Sequence, residues 1–220
     1  IELGYPFDGK VNNPFIFPLV AKVLEDSGLN LVVVGDDLTP AKKGITLKET
    51  ATNLTLNNNL HYFDRADFFK QMHDLTPIRM KLGLRTGLNT IEKLTHVASS
   101  KYAITGVFHK PFVKKYIDVF ADRYKRLALI QGNEGTPELF SKGRIWVVDN
   151  KKVDEIVLDP GYYGIKYSKS WEKITLQESI NQINNPSLEF LKLAKLNAAV
   201  YLFVAQKANS IDEAFEQLNG

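Results

Sequence analysis

Short apolar runs rich in Val, Ile and Leu recur in this chain at the distance of one crossover helix, and that spacing constrains its fold more than any other feature. "NPFIFPLVAKVLEDS" (13–27) reads as a helix, with Pro14 tolerated in its first turn and Gly28 as its stop. "LNLVVVG" (29–35) follows as a buried strand and "ITLKETATNL" (45–54) as a second helix. With an apolar strand end before Gly4, the first 55 residues alternate strand, helix, strand, helix, the arithmetic of a parallel sheet with crossovers.

The alternation continues. Residues 64–73 read as a short helix and "KYAITGVF" as a strand. In "KPFVKKYIDVFADRYKRL", Phe112, Val113, Tyr116, Ile117, Phe120, Tyr124 and Leu127 recur at helical spacing, leaving Lys114, Lys115, Asp118 and Asp122 outside. "LALIQG" is the next buried strand, and "RIWVVDNKKVDEIVLD" carries two β-rich runs around Asp149 and Asn150, a hairpin pattern. The C-terminal third reads as helical. Thr175 with Glu178 and Ser210 with Glu213 have capping-box spacing, and a long buried helix lies between them. The expected class is α/β, a large, mixed, mostly parallel sheet flanked by helices.

Composition narrows the function classes. With 220 residues, 44% hydrophobic and 24% charged, the chain has the material for one sizeable core and one domain. It has no apolar run of membrane-spanning length and no signal-peptide pattern at its start. The absence of Cys removes disulfides and thiolate chemistry and agrees with a reducing compartment, so a cytoplasmic location is expected. His61, His73, His96 and His109 lack metal-ligand spacing, and neither a Ser-His-Asp nor a P-loop pattern is present. A net charge of +3 is compatible with anionic ligands and does not by itself require nucleic acid. Because the chain starts at Ile1 and not at Met, a fragment of a longer protein is expected.

In order along the chain stand "GYPFDGK", "VVVGDDLTPAKKG", "PIRMKLGLRT", "LIQGNEGTPEL" and "KLNAAVYLFVAQKANSIDEA". Their order and spacing resemble the anthranilate phosphoribosyltransferase family, glycosyltransferase family 3, over nearly the whole chain. The resemblance implies the catalytic α/β domain over 1–220, lacking the small helical domain that the family builds mainly from an N-terminal segment. It implies a reaction in which an amine attacks C1 of phosphoribosyl pyrophosphate, an acidic aromatic acceptor, magnesium on the leaving pyrophosphate, and a homodimer. If a helical domain is missing, the helix at 13–27 or the C-terminal helix should expose an apolar patch.

The motif positions depart from the family in a patterned way. Where the family has a GTGGD phosphate loop, this chain has Gly4, Tyr5, Pro6, Phe7 and Asp8: proline lacks an N–H and two aromatic rings add bulk. Gly4, Asp8 and Gly9 remain phosphate candidates, beside the reading of an ordinary strand-to-helix turn. Val33, Val34, Gly35 and Asp36 replace a Lys-His-Gly-Asn element. Asp36 is an acceptor candidate; the Asp36-Asp37 pair suits a metal or ribose hydroxyls, but reads first as a solvated turn. Lys42 and Lys43 fall at the family's serine-rich phosphate turn. Arg79 aligns with the arginine that meets the acceptor carboxylate, a task suited to its bidentate fork, although structural ion pairing suits it as well. Arg85 also matches, but the Gly-Pro-Leu turn expected after it is Glu92-Lys93-Leu94. Of the family's magnesium turn Glu138 remains without its neighbouring Asp, half a site for an ion that needs one or two carboxylates plus phosphate.

Two functional expectations follow: a divergent pentosyltransferase, or a catalytically degenerate member that binds nucleic acid or another anion. The second draws on the basic cluster of Lys101, Lys110, Lys114, Lys115, Arg123, Lys125 and Arg126. Acidic residues on the same helix also fit a solvated face.

Overall fold

The computed structural model describes residues 1–219. Its centre is a seven-stranded sheet in the order β3-β2-β1-β4-β5-β6-β7. The strands are β1 (Glu2–Gly4), β2 (Leu31–Gly35), β3 (Leu60–Asp64), β4 (Tyr102–Gly106), β5 (Arg126–Ile130), β6 (Gly143–Asp149) and β7 (Lys152–Leu158). The first five are parallel, with Leu3 beside Val33 and Ile104, and β6 and β7 close one edge antiparallel. The mixed, mostly parallel sheet read from the alternation is present. The β6–β7 turn places Asn150 and Lys151 at φ 48° and 67°, the doubly left-handed form whose twist matches a two-residue hairpin.

The helices are α1 (Phe17–Val23), α2 (Leu47–Thr52), α3 (Arg65–Phe68), α4 (Lys70–His73), α5 (Thr76–Leu82), α6 (Leu88–Ile91), α7 (Val113–Phe120), α8 (Leu176–Asn184), α9 (Leu188–Val204) and α10 (Ile211–Gln217). One face of the sheet packs on α1 and α9, whose Ala194, Ala198 and Ala199 are fully buried and let the helix axis come close. The other face packs on α7 through Val113, Tyr116 and Phe120. Thr46–Glu49 and Thr175–Glu178 form complete capping boxes. At α10, Ser210 caps the Glu213 N–H, but the Glu213 carboxylate takes the Asn209 N–H, so that box is open on one side.

Local boundaries differ from the sequence reading where tertiary partners intervene. The helix expected over 13–27 begins at Phe17, because the Ile16 and Phe17 N–H groups are held by Glu138, 121–122 residues away, at 3.3 Å or less. The helix expected over 64–73 is two helices broken at Phe69. The apolar exposure expected on the helix at 13–27 or the C-terminal helix sits elsewhere: Phe17 to Ala21 of α1 are buried, and on α9 Leu188 is the exposed large apolar residue. The exposed apolar residues concentrate in α3–α6, at Phe68, Phe69, Ile78, Leu82, Leu84 and Ile91.

Candidate functional site

All five parallel strands end at the same sheet edge, and the motif residues follow them there. Asp8 and Gly9 come after β1, Asp36 after β2, Arg65 after β3, and Glu134 and Glu138 after β5. The chain order reverses between β1 and β4, the position where open α/β sheets leave a crevice for ligands.

In the first loop, the space that glycines would leave open is filled from within. A Cβ on Gly4 would lie 2.6 Å from Thr105 Oγ1 and 2.9 Å from Leu94 Cδ2. Gly9, at φ 75°, abuts Gly44 so closely that a Cβ would stand 2.5 Å from its carbonyl, and Lys10 and Ile45 bridge the two loops by paired backbone hydrogen bonds of 2.7 and 2.8 Å. Tyr5 is buried, edge-on to Phe15 and Phe17, and donates its hydroxyl to Glu138 at 2.9 Å. Burial, then the Glu138 charge, pushes its hydroxyl pKa well above the ordinary range. The Phe7 ring lies 4.3 Å from the Arg65 guanidinium.

Each candidate carboxylate meets a cation. Asp8 is fully buried, bonded to Arg85 and 3.4 Å from Lys42, which also donates to the Glu134 carbonyl at 2.7 Å. Burial lowers the Lys42 pKa, and the Asp8 charge opposes that shift. Lys43 is exposed, in a left-handed conformation at φ 58°. Asp36 is buried against the fully buried Arg65 and accepts from His73 Nδ1 at 2.6 Å and from the Asp37 N–H at 2.6 Å. Asp36, Asp37 and His73 can bring one ligand atom each to within 4.8 Å of one another.

Arg79 is 3% exposed and its fork is occupied. Glu92 receives it through two bonds of 2.7 and 2.9 Å, and Asn89 Oδ1 accepts a third at 2.9 Å. The same Glu92 carboxylate receives Arg65 at 2.6 Å. Glu138 is equally engaged: besides Tyr5, Ile16 and Phe17, it holds Lys10 at 2.6 Å, and both side chains are fully buried. Asn197 of α9 fixes the backbone beside it, pairing with both the N–H and the carbonyl of Leu139 at 2.9 and 3.0 Å.

The structure therefore gathers Asp8, Lys42, Arg85 and Glu134 in one cluster, Asp36, Arg65, Arg79 and Glu92 in a second, and Lys10 with Glu138 in a third. Reading the chain residue by residue passes over Lys10, Arg65, Glu134 and Asn197. Glu92 and Lys93 do carry a signal, since charged residues at a Gly-Pro turn need partners. Two hollows adjoin the first cluster: a cleft of about 490 Å3 lined by residues including Asn12, Phe108, Glu134 and Trp171, and one of about 110 Å3 bordered by Arg85, Thr86, Lys93 and Glu134.

Residues 21–220 match the glycosyl transferase family, a/b domain. The chain belongs to glycosyltransferase family 3. Within this family it is 27% identical over 208 residues to the anthranilate phosphoribosyltransferase of Petrotoga mobilis, covering 88% of this chain and 55% of that enzyme. It is 26% identical over 223 residues to an uncharacterized protein of Aquifex aeolicus, covering 97% of this chain and 71% of the relative. The fold matches anthranilate phosphoribosyltransferase from Thermus thermophilus, with a TM-score of 0.73 at 18% identity over 96% of this chain and 69% of the other. It also matches the Saccharomyces cerevisiae enzyme solved with phosphoribosyl pyrophosphate and magnesium, with a TM-score of 0.66 at 18% identity over 96% and 65%. The chain thus spans about half the length of the Petrotoga enzyme and of the Metallosphaera sedula enzyme, of which it covers 52%.

The basic region is partly neutralised by its own surroundings. Lys110 pairs with Glu155 at 2.8 Å, Lys114 with Asp118 at 2.7 Å, and Arg126 with Asp149 at 2.5 Å. Among the described residues, no helix is long and apolar enough to cross a membrane.

Proposed function

We propose that this chain is a member of the anthranilate phosphoribosyltransferase family that has exchanged pentosyl transfer for the binding of an anionic ligand. One observation carries this reading: the acceptor arginine of the family, Arg79, is spent on Glu92, which stands where the family turn has glycine. A guanidinium held by a buried carboxylate has no fork to offer an acidic aromatic acceptor. The altered phosphate loop supports the same reading, since Gly4 and Gly9 face packed side chain and backbone and not open space.

The residues present do not fit magnesium at Glu138. Its oxygens already accept from Lys10, Tyr5, Ile16 and Phe17, and a bound cation would displace the Lys10 ammonium from a fully buried position. Magnesium and phosphoribosyl pyrophosphate would be requirements of an active member of the family. The exposed apolar face of α3–α6 supports a further helical segment or a partner subunit packing there, in line with the two-domain, homodimeric plan expected from the resemblance.

The test is calorimetry with phosphoribosyl pyrophosphate and magnesium on the full-length protein, paired with a turnover assay on anthranilate. No turnover is expected. Micromolar binding together with steady turnover would overturn the reading. For the nucleic-acid alternative, binding that falls steeply with salt and is lost when Lys114, Lys115 and Arg123 are changed to Glu would establish it; no detectable binding at low salt would remove it.

A further inference from the structure

Lys93 is an ammonium buried without an acid. Its residue is 7% exposed, its Nζ donates to the Gly106 carbonyl at 2.9 Å and lies 5.3 Å from the Tyr116 ring, and no carboxylate pairs with it among the described residues. A buried charge in that condition is costly, and a Lys ammonium has three protons to donate. The same small hollow holds a second unmet group: Thr86 Oγ1 is buried and has no hydrogen-bond partner. Arg85, half exposed, and Thr90 complete the polar wall, while Pro6 and Phe108 supply the apolar one.

The charges around this hollow do not cancel. Lys42, Arg85 and Lys93 face two carboxylates, Asp8 and Glu134; Asp8 is engaged by Arg85 and Lys42, and the Glu134 carboxylate by the Val11 and Asn12 N–H groups at 2.6 and 3.2 Å. The surplus is one positive charge at Lys93. The cavity, about 110 Å3 against about 490 Å3 for the neighbouring cleft, suits a single phosphate better than a whole phosphoribosyl pyrophosphate. It sits where the order of β1 and β4 reverses, and it shares Phe108 and Glu134 with the larger cleft, which gives the rest of a phosphomonoester a way out.

From this juxtaposition we infer that Lys93 and Thr86, with Arg85 and Thr90 at the rim, form a binding site for a single phosphate group, free or carried by a small monoester. The inference rests on the proposed exchange of catalysis for anion binding and gives it a site. Lys93 supplies charge, and the Thr86 hydroxyl donates to one oxygen. Charge-assisted bonds of this kind are stronger than neutral ones and account for keeping a lysine in the interior.

Calorimetry on the full chain tests this, with inorganic phosphate and ribose 5-phosphate as separate arms and pyrophosphate as the size control. Saturable binding of phosphate or the monoester is expected, and the tighter of the two identifies the source. Lys93→Met should weaken it at least tenfold while melting at or above the wild-type temperature without ligand, because it removes an unpaired buried charge and keeps the stem. Thr86→Val should weaken it less and keep the fold. Undiminished phosphate binding by Lys93→Met, no saturable binding by the wild type, or tighter binding of pyrophosphate than phosphate would each overturn the inference. Turnover of anthranilate would instead strike the proposed function, so the two failures are separable.

Discussion

Glu92→Ala is the sharpest perturbation this structure offers. The Glu92 side chain is 1% exposed, and it accepts two bonds from Arg79 and one from Arg65, at 2.6 to 2.9 Å. Removing it leaves Arg79 with Asn89 alone and Arg65 with Asp36 and a weak contact to Thr76. Stranding a buried charge by deleting its partner costs about 3–5 kcal/mol, and the three bonds share that total because they form one network. For a chain of this size each kcal/mol lowers the melting temperature by about 2–4 °C, so a fall of about 6–20 °C is expected by scanning calorimetry. The vacated space should then accept an external carboxylate. Benzoate at about 100 times its dissociation constant would restore about 2.7 kcal/mol to the variant and leave the wild type unmoved. Glu92→Gln, which keeps an oxygen for Arg79, should fall between the two. A Glu92→Ala protein that melts within about 2 °C of the wild type, or benzoate acting equally on both, would refute the view that Glu92 occupies the acceptor carboxylate's place.

Other outcomes follow from the same network. Lys10→Met strands the fully buried Glu138 carboxylate and should cost about 3–5 kcal/mol in urea unfolding, whereas a loss below about 1 kcal/mol would show that the pair is not structural. Asn197→Ala removes two hydrogen bonds between α9 and the Leu139 loop and one to the Leu193 carbonyl within α9, which predicts about 1–3 kcal/mol of destabilisation with an unchanged circular dichroism spectrum. The Thr175 backbone N–H, followed by its hydroxyl, holds the Glu178 pKa below the ordinary carboxylate value. Its stabilisation is therefore complete above that ordinary value and disappears as pH falls through the lowered one, so Glu178→Gln should flatten the acid limb of the stability profile. An unshifted Glu178 titration by NMR would contradict the capping box.

Much of the architecture lies in local pattern. The apolar runs at 31–35, 102–106 and 126–130, separated by helical segments, dictate parallel strands because crossovers of that length return the chain in the same direction. The capping box at Thr175 and the Asn150 hairpin are equally local, since each is decided by residues no more than three apart. Part of the site was legible in the same way: an aromatic and proline-bearing loop cannot present open backbone, and Glu92-Lys93 cannot make a Gly-Pro turn. What local pattern does not contain is pairing across distance. Glu138 starts a helix more than a hundred residues before it, Arg65 joins Asp36 to Glu92, and Lys93 stands unpaired in a cavity at the β1–β4 reversal. Sequence determines which charges exist. Only burial, which makes a partner obligatory and its absence costly, decides which of them neutralise one another and which remains for a ligand.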